Sequence, residues 1–352
     1  MWHYMQHWSW QRLWAYVLMV LWTMPTIGHT QTATEPLRVV TTVPDLGSLV
    51  REVGGEQVEV TVLVKGAEDP HFMEAKPSFI KSLSQADMYV QVGMEAEVGW
   101  TPVLLQQARN ARVLPGAPGY VDAATVITPL EVPTGPVDRS MGDVHPFGNP
   151  HYLVDPLQGL KVAQLLRDRL IAMRPARRAS FEARYAAFRQ RLGTALMGAP
   201  LAQKYDVDKL IVLFEHQKLG TFLQAQGDAS LLAGWLGRLT PYAGTKAVSD
   251  HNVWPYFAQR FQISLVGFIE PRPGVSPTTK HIKELIRTMQ AQEVKIILAS
   301  AYYDPRHAQF VAQNTGARVV PLANQVGARA DTDDYISMVD YNVRQLALAL
   351  GG

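Results

Sequence analysis

TKAVSDHNVWPYFAQRFQISLVGFI, residues 245–269, reads as a short apolar run, a helical stretch, and a second apolar run. The pattern continues past it. VGFI leads through a loop into TKHIKELIRTMQA. VKIILAS then precedes DPRHAQFVAQN, and ARVVPLA precedes DDYISMVDYNVRQLALAL. Strands that alternate with helices in this way build a parallel sheet covered by helices. The same rhythm opens the chain after residue 36. LRVVTTV is followed by PDLGSLVREVGG, which has helical spacing and a glycine stop. VEVTVLV, a loop, the helix KPSFIKSLSQA opened by Pro77-Ser78, and DMYVQVG complete that block. Two such blocks predict two α/β lobes.

Between the blocks, residues 116–150 are rich in Pro, Gly and Thr and predict a long loop. Two helices follow. Val162, Leu166, Leu170 and Met173 share a face of the first, and Phe181, Tyr185, Phe188 and Leu192 a face of the second. Arg184, Arg189 and Arg191 lie elsewhere on the second helix and read as a solvated basic face. The predicted division is an N-terminal lobe over 37–154, linking helices over 155–197 and a C-terminal lobe over 198–352. Residues 196–238 are apolar without a clean period and read as a helical insertion.

With 352 residues, 47% hydrophobic and 18% charged, the chain is long enough for two lobes with a large core. A net charge of +2 gives no reason to expect nucleic acid. The first thirty residues contain Arg12, no acid, and an apolar run from Leu13 to Met24, short for a membrane span. They read as a cleaved signal peptide, residues 1–30, with an uncleaved anchor as the alternative because Trp2, Trp8 and Trp10 make the start unusually aromatic. There is no cysteine, which excludes disulfides, thiolate metal sites and a lipidated N-terminal cysteine. The expectation is a soluble periplasmic protein that is not lipid-anchored.

Ligands of open parallel sheets gather beyond the carboxyl ends of the strands. His71 follows the second strand of the first block, and His151 follows its long loop. In the second block His251, Glu270 and Asp304 follow successive strands. Three histidines so placed converge only in the cleft between the lobes. Imidazole suits zinc, copper, iron and nickel, and three of them plus a carboxylate or water make an acceptable tetrahedral zinc site. His71 follows Pro70 and His151 follows Pro150, so both loops are stiffened before any metal arrives. A loop histidine alone is more often a surface residue. His145 reads as an outer or surface residue, His216 as a solvated or packing partner of Glu215, and His281 as solvent-facing; Trp254 and Tyr256 read as core behind His251.

EDPHFMEAKPSFIKSL, GDVHPFGNPHYLVDP, DHNVWPYFAQRF, VGFIEPRPGVSPTTKHI and DDYISMVDYN together resemble the zinc/manganese-binding solute receptors of ABC importers. The resemblance covers residues 37–352. It implies two α/β lobes, each a parallel sheet flanked by helices, bridged by a long rigid helix, with the metal in the cleft. It also implies that His71, His151 and His251 stand at the first three ligand positions, with histidine at the third as in the zinc branch. The family's usual last ligand, an aspartate past the final strand, has no counterpart in PLANQVGARA; Glu270, His145, another aspartate or water could complete the shell. The implied function is a receptor, monomeric and not an enzyme, that delivers Zn2+ to an inner-membrane ABC permease as transported ligand. The alternatives are a manganese or iron receptor of the same fold and a zinc-dependent hydrolase. Against the hydrolase, there is no His-Glu-x-x-His pair.

Overall fold

The structure is a computed structural model that describes residues 35–135, 145–271 and 274–351; the expected signal segment, 1–30, lies outside them. In the first lobe β1 (Leu37–Thr41), α1 (Pro44–Gly54), β2 (Val58–Val62), α2 (Pro77–Gln85), β3 (Met88–Gln91), α3 (Thr101–Ala108) and β4 (Tyr120–Asp122) follow one another. The strands form one parallel sheet in the order β2-β1-β3-β4. Strand β4 falls inside the stretch that the sequence predicts as loop. Three residues are too few to carry a period, and only its pairing with β3 makes it a strand.

Helices α4 (Pro156–Met173) and α5 (Arg178–Met197) come next, then the short helices α6 (Ala199–Lys204), α7 (Val207–Glu215), α8 (Leu219–Ala225) and α9 (Gly234–Leu239). The second lobe runs β5 (Lys246–Ser249), α10 (Pro255–Phe261), β6 (Ser264–Phe268), α11 (Thr279–Ala291), β7 (Ile296–Ala299), α12 (Pro305–Thr315), β8 (Arg318–Pro321) and α13 (Tyr335–Leu350). Its parallel order, β6-β5-β7-β8, repeats that of the first lobe. In each sheet the chain leaves the first strand to one side and returns on the other, which opens a crevice at the carboxyl ends. Proline begins α1, α2, α4, α10 and α12, where its missing N–H costs nothing and its fixed φ suits a first turn.

The predicted stripes are buried: Val162, Leu166 and Leu170 on α4, and Phe181, Tyr185, Phe188 and Leu192 on α5. The basic residues of α5 do more than face solvent. Arg184 donates to the carbonyls of Glu52 and Arg51, Arg191 pairs with Glu52, and Arg189 lies 2.7 Å from Asp208. Helices α6–α9 pack on this bundle through Leu201, Leu210, Leu223 and Trp235, and the Trp235 indole donates to Asp340 at 3.1 Å.

One apolar cluster crosses from lobe to lobe. It takes in Val39 and Met88 of the first sheet, Leu160 and Leu166 of α4, Phe188 of α5, Trp254 and Phe257 of α10, and Ile296 and Leu298 of β7. Smaller clusters cover the outer faces, around Phe79 and Trp100 in the first lobe and around Leu285 and Met289 in the second. Polar ties reinforce the seam. Buried Asp155 caps α4 by accepting the Leu157 N–H at 2.9 Å, and receives Arg260 Nε and Nη2 of α10, each at 2.8 Å. Tyr335 Oη donates to the carbonyl of Leu153 at 2.7 Å. Gly66 passes so close to the other lobe that a Cβ there would come within 2.3 Å of the Val326 carbonyl oxygen.

Two outcomes follow from a seam of this kind. Arg260→Ala leaves the Asp155 carboxylate buried without its counter-ion and should cost about 3–5 kcal/mol of unfolding free energy in urea titrations. A loss below about 1 kcal/mol would put the pair on a level with an exposed one. A shared core also resists hinge bending. Small-angle scattering should give nearly equal radii of gyration for metal-free and metal-loaded protein, and a contraction of several ångströms would mean a clamshell instead.

Candidate metal centre

The repeated Pro-His has a local explanation in the residue before each proline. Asp69 Oδ1 accepts the backbone N–H of His71 at 3.0 Å and lies 2.9 Å from the ring Nδ1. Asn149 Oδ1 does the same for His151, at 2.9 Å and 3.0 Å. Each Asx-Pro-His is thus a turn closed by a side-chain oxygen, with a proline at its centre that fixes φ and has no N–H to compete. The Asn149 amide is itself oriented, since its Nδ2 donates to Glu131 Oε2 at 3.0 Å and to the Asn252 carbonyl at 2.9 Å. Its oxygen can only accept, so His151 carries its proton on Nδ1 and presents Nε2 as a lone pair.

His251 is held differently to the same end. Its backbone N–H donates to Asp250 Oδ1 at 2.7 Å, its Nδ1 lies 2.6 Å from Glu270 Oε2, and its ring stacks on Tyr303 at 4.7 Å between centroids. Asp250 also accepts the Ser300 N–H at 2.6 Å, tying the loop after β5 to the end of β7. Burial raises its pKa to about 6 against these hydrogen bonds.

The imidazoles meet in the cleft. Ring centroids of His71 and His151 are 5.2 Å apart, those of His151 and His251 5.8 Å, and those of His71 and His145 5.1 Å. A tetrahedral ion about 2.0 Å from each Nε2 would put ring centroids about 5.2 Å from one another. Among the described residues no group of three or more His, Asp or Glu is already closed around a point in ligating geometry; the His71–His151 spacing equals that value and the His151–His251 spacing is slightly larger. His151 Nε2 is buried without a hydrogen-bond partner among the described residues. Burial first, then His71, His251 and His145, push the His151 pKa well below 6.5. A neutral, solvent-shielded lone pair is what a metal requires of imidazole. Behind His71 and His151 lies a cavity of about 40 Å³ that Asp45 and Gln325 also line.

The other candidates fall elsewhere. The Glu270 carboxylate faces Nδ1 of His251 and accepts the Gly274 N–H at 3.1 Å, so its contacts are those of a group that orients a ligand. Asp304 caps α12, accepting the Arg306 N–H, and the Arg306 guanidinium holds its pKa at about 2. His281 turns its ring to the Phe268 carbonyl at 2.9 Å, where solvent exposure is expected from the sequence. Tyr256 is buried as expected, and its hydroxyl crosses the seam to the Asn149 carbonyl at 3.1 Å. After β8, Asn324 Oδ1 accepts the Ala301 N–H at 3.2 Å and Gln325 Nε2 donates to the Glu68 carbonyl at 3.1 Å. Sequence reasoning missed Asp69 and Asn149 as orienting groups, although an Asx two residues ahead of each histidine is visible in DPH and NPH.

Two facing parallel sheets with imidazoles between them define a metal-binding protein of the two-lobed receptor class. The chain matches the family described as zinc-uptake complex component A, periplasmic (ZnuA), over residues 39–227 and 235–349, and belongs to it. It is 21% identical to the metal ABC transporter substrate-binding lipoprotein ScbA of Streptococcus cristatus, with 92% of each chain covered. It is also 21% identical to the high-affinity zinc uptake system protein ZnuA of Yersinia pestis, covering 86% of this chain and 87% of that one. A crystal structure of ZnuA superposes with a TM-score of 0.64 at 24% identity, covering 89% of this chain and 99% of the other. Other relatives are named as manganese lipoproteins.

Those names overturn one expectation. Several relatives are lipoproteins, so the reading of a periplasmic protein that is not lipid-anchored does not stand. It rested on the absence of cysteine, which removes attachment through a thioether in this chain and no other route to a membrane.

Orienting groups of this kind are worth testing directly. Asn149→Ala and Glu270→Ala should each lower metal affinity by about 10–100-fold while the fold persists. Circular dichroism and competition titration with a chromogenic chelator read the two quantities separately, and unchanged affinity in both variants would rule out the orienting role.

Proposed function

We propose that this chain captures Zn2+ in the cleft and passes it to the membrane permease of an ABC importer. His71, His151 and His251 bind through Nε2, and small rotations of the rings close them on the ion. The metal is cargo, and the protein acts as a single copy without catalysing a reaction. The observation that carries this reading is the buried Nε2 of His151, whose pKa is held low and which has no hydrogen-bond partner among the described residues, between His71 and His251. Three first-row imidazole contacts favour zinc over manganese, which stands low in the affinity series and prefers oxygen. The manganese lipoproteins among the relatives support the rival, a manganese receptor of the same fold.

Calorimetry distinguishes the two. Zinc should bind far more tightly than manganese, and His151→Ala or His251→Ala should abolish tight zinc binding. Protons compete with the metal for the same lone pairs, so zinc affinity should hold above pH ~6.5 and fall steadily from there to pH ~5. Burial and its histidine neighbours hold the His151 pKa well below the ordinary imidazole value, which favours its neutral, metal-binding form. Manganese binding as tight as zinc, or a pH-independent affinity, would refute the zinc assignment.

A further inference from the structure

This inference rests on the metal-receptor reading and concerns a residue that reading leaves aside. We propose that His145 is the fourth ligand of the bound ion and sets the preference for zinc over manganese. Its ring centroid lies 5.1 Å from that of His71, as near as that of His151 at 5.2 Å, and its Nε2 is shielded from solvent. His71 thus has His145 and His151 as ring neighbours at almost the same distance, and His151 has His251 at 5.8 Å.

The segment that presents His145 is built for the purpose. Pro146 biases the histidine before it to extended geometry. The Gly148 N–H donates back to the His145 carbonyl at 3.3 Å, closing a turn over His145–Gly148. Gly148 has φ +103°, and a Cβ there would come within 2.8 Å of the Leu130 carbonyl oxygen. The next N–H, that of Asn149, donates to that same carbonyl at 2.9 Å. Asn149 begins the turn that aims His151. The two histidines therefore sit on consecutive turns pinned to one backbone carbonyl.

The chemistry of the remaining groups agrees. The loop after β8 has no acid before Asp331, which is exposed, and Asn324 Oδ1 is engaged with the Ala301 N–H. Among the described residues the rival donors are Asp45 Oδ1 and the amide oxygen of Gln325, both buried in the cavity beside His71 and His151. Four neutral imidazoles bring no charge to a divalent ion. The compensating carboxylates stand one layer out, Asp69 behind His71 and Glu270 behind His251. An ion that prefers oxygen gains nothing from such a shell, and an ion that favours nitrogen gains all four contacts.

X-ray absorption on the zinc-loaded full-length protein tests this without a variant: four imidazoles at about 2.0 Å are expected. His145→Ala should leave three imidazoles and one oxygen, and should lower zinc affinity by about 100-fold or more, the upper end of what an outer-sphere partner costs. Manganese affinity should change much less, so the zinc-to-manganese ratio falls; His145→Asp should recover affinity for manganese more than for zinc. Three imidazoles plus oxygen in the wild type, or a His145→Ala variant with unchanged zinc affinity, would overturn the proposal. Loss of the oxygen scatterer in Asp45→Ala or in Gln325→Leu would then identify the rival ligand. His151→Ala serves as the control: if it too retains zinc, the metal-receptor reading fails, and not the fourth ligand alone.

Discussion

Asp155 joins three parts of the molecule that must stay in register for the cleft to exist. Its carboxylate caps α4, which leads away from the first lobe, and takes both N–H groups of Arg260 on α10 of the second. Its carbonyl accepts the hydroxyl of Tyr335, the first residue of the last helix, at 3.0 Å. His151 lies four residues ahead of Asp155, and Arg260 lies nine residues beyond His251. The bidentate pair therefore sets the distance between the histidine of one lobe and that of the other. Buried ion pairs add little net stability because desolvation offsets attraction, but their geometry is exacting. Here the geometry is the contribution.

With the backbone so fixed, the remaining freedom is in the imidazole rings, and each is restrained at Nδ1. Asp69, Asn149 and Glu270 each face Nδ1 of a histidine, which turns Nε2 away from them. The restraints are chemically unequal. A carboxylate behind an imidazole makes it a stronger donor to a cation, whereas the amide behind His151 sets only tautomer and direction. His151 is thus the one of the three without an anionic partner at Nδ1, and burial keeps its pKa well below the ordinary imidazole value.

Most of the fold was legible in the sequence, because parallel strands and helix stripes leave strong periodic signals over 37–93 and 245–350. What escaped had no period to show. Strand β4 is three residues long and exists through its partner. His71, His151 and His251 could be picked out because each follows a strand or long loop at the carboxyl edge. His145 stayed one of several candidates for the shell, since nothing local says that a Pro- and Gly-rich loop turns back onto His71. The role of Glu270 was blurred for a related reason: a carboxylate at a strand end can face a metal or the far side of a ligand, and spacing alone does not distinguish them.

The cluster that runs unbroken from Val39 to Leu298 has a consequence for how the chain can be divided. Each lobe has a smaller apolar cluster of its own, but the largest cluster, with Leu160, Phe188 and Trp254 in it, is shared across the seam. A fragment ending before α4 would expose the apolar surface that the other half covers, so the lobes are not modules that can be exchanged or produced apart. The described residues from Pro36 onward pack as one unit. An ion held at the seam then stabilises the whole of that unit at once, by an amount set by its concentration relative to its dissociation constant.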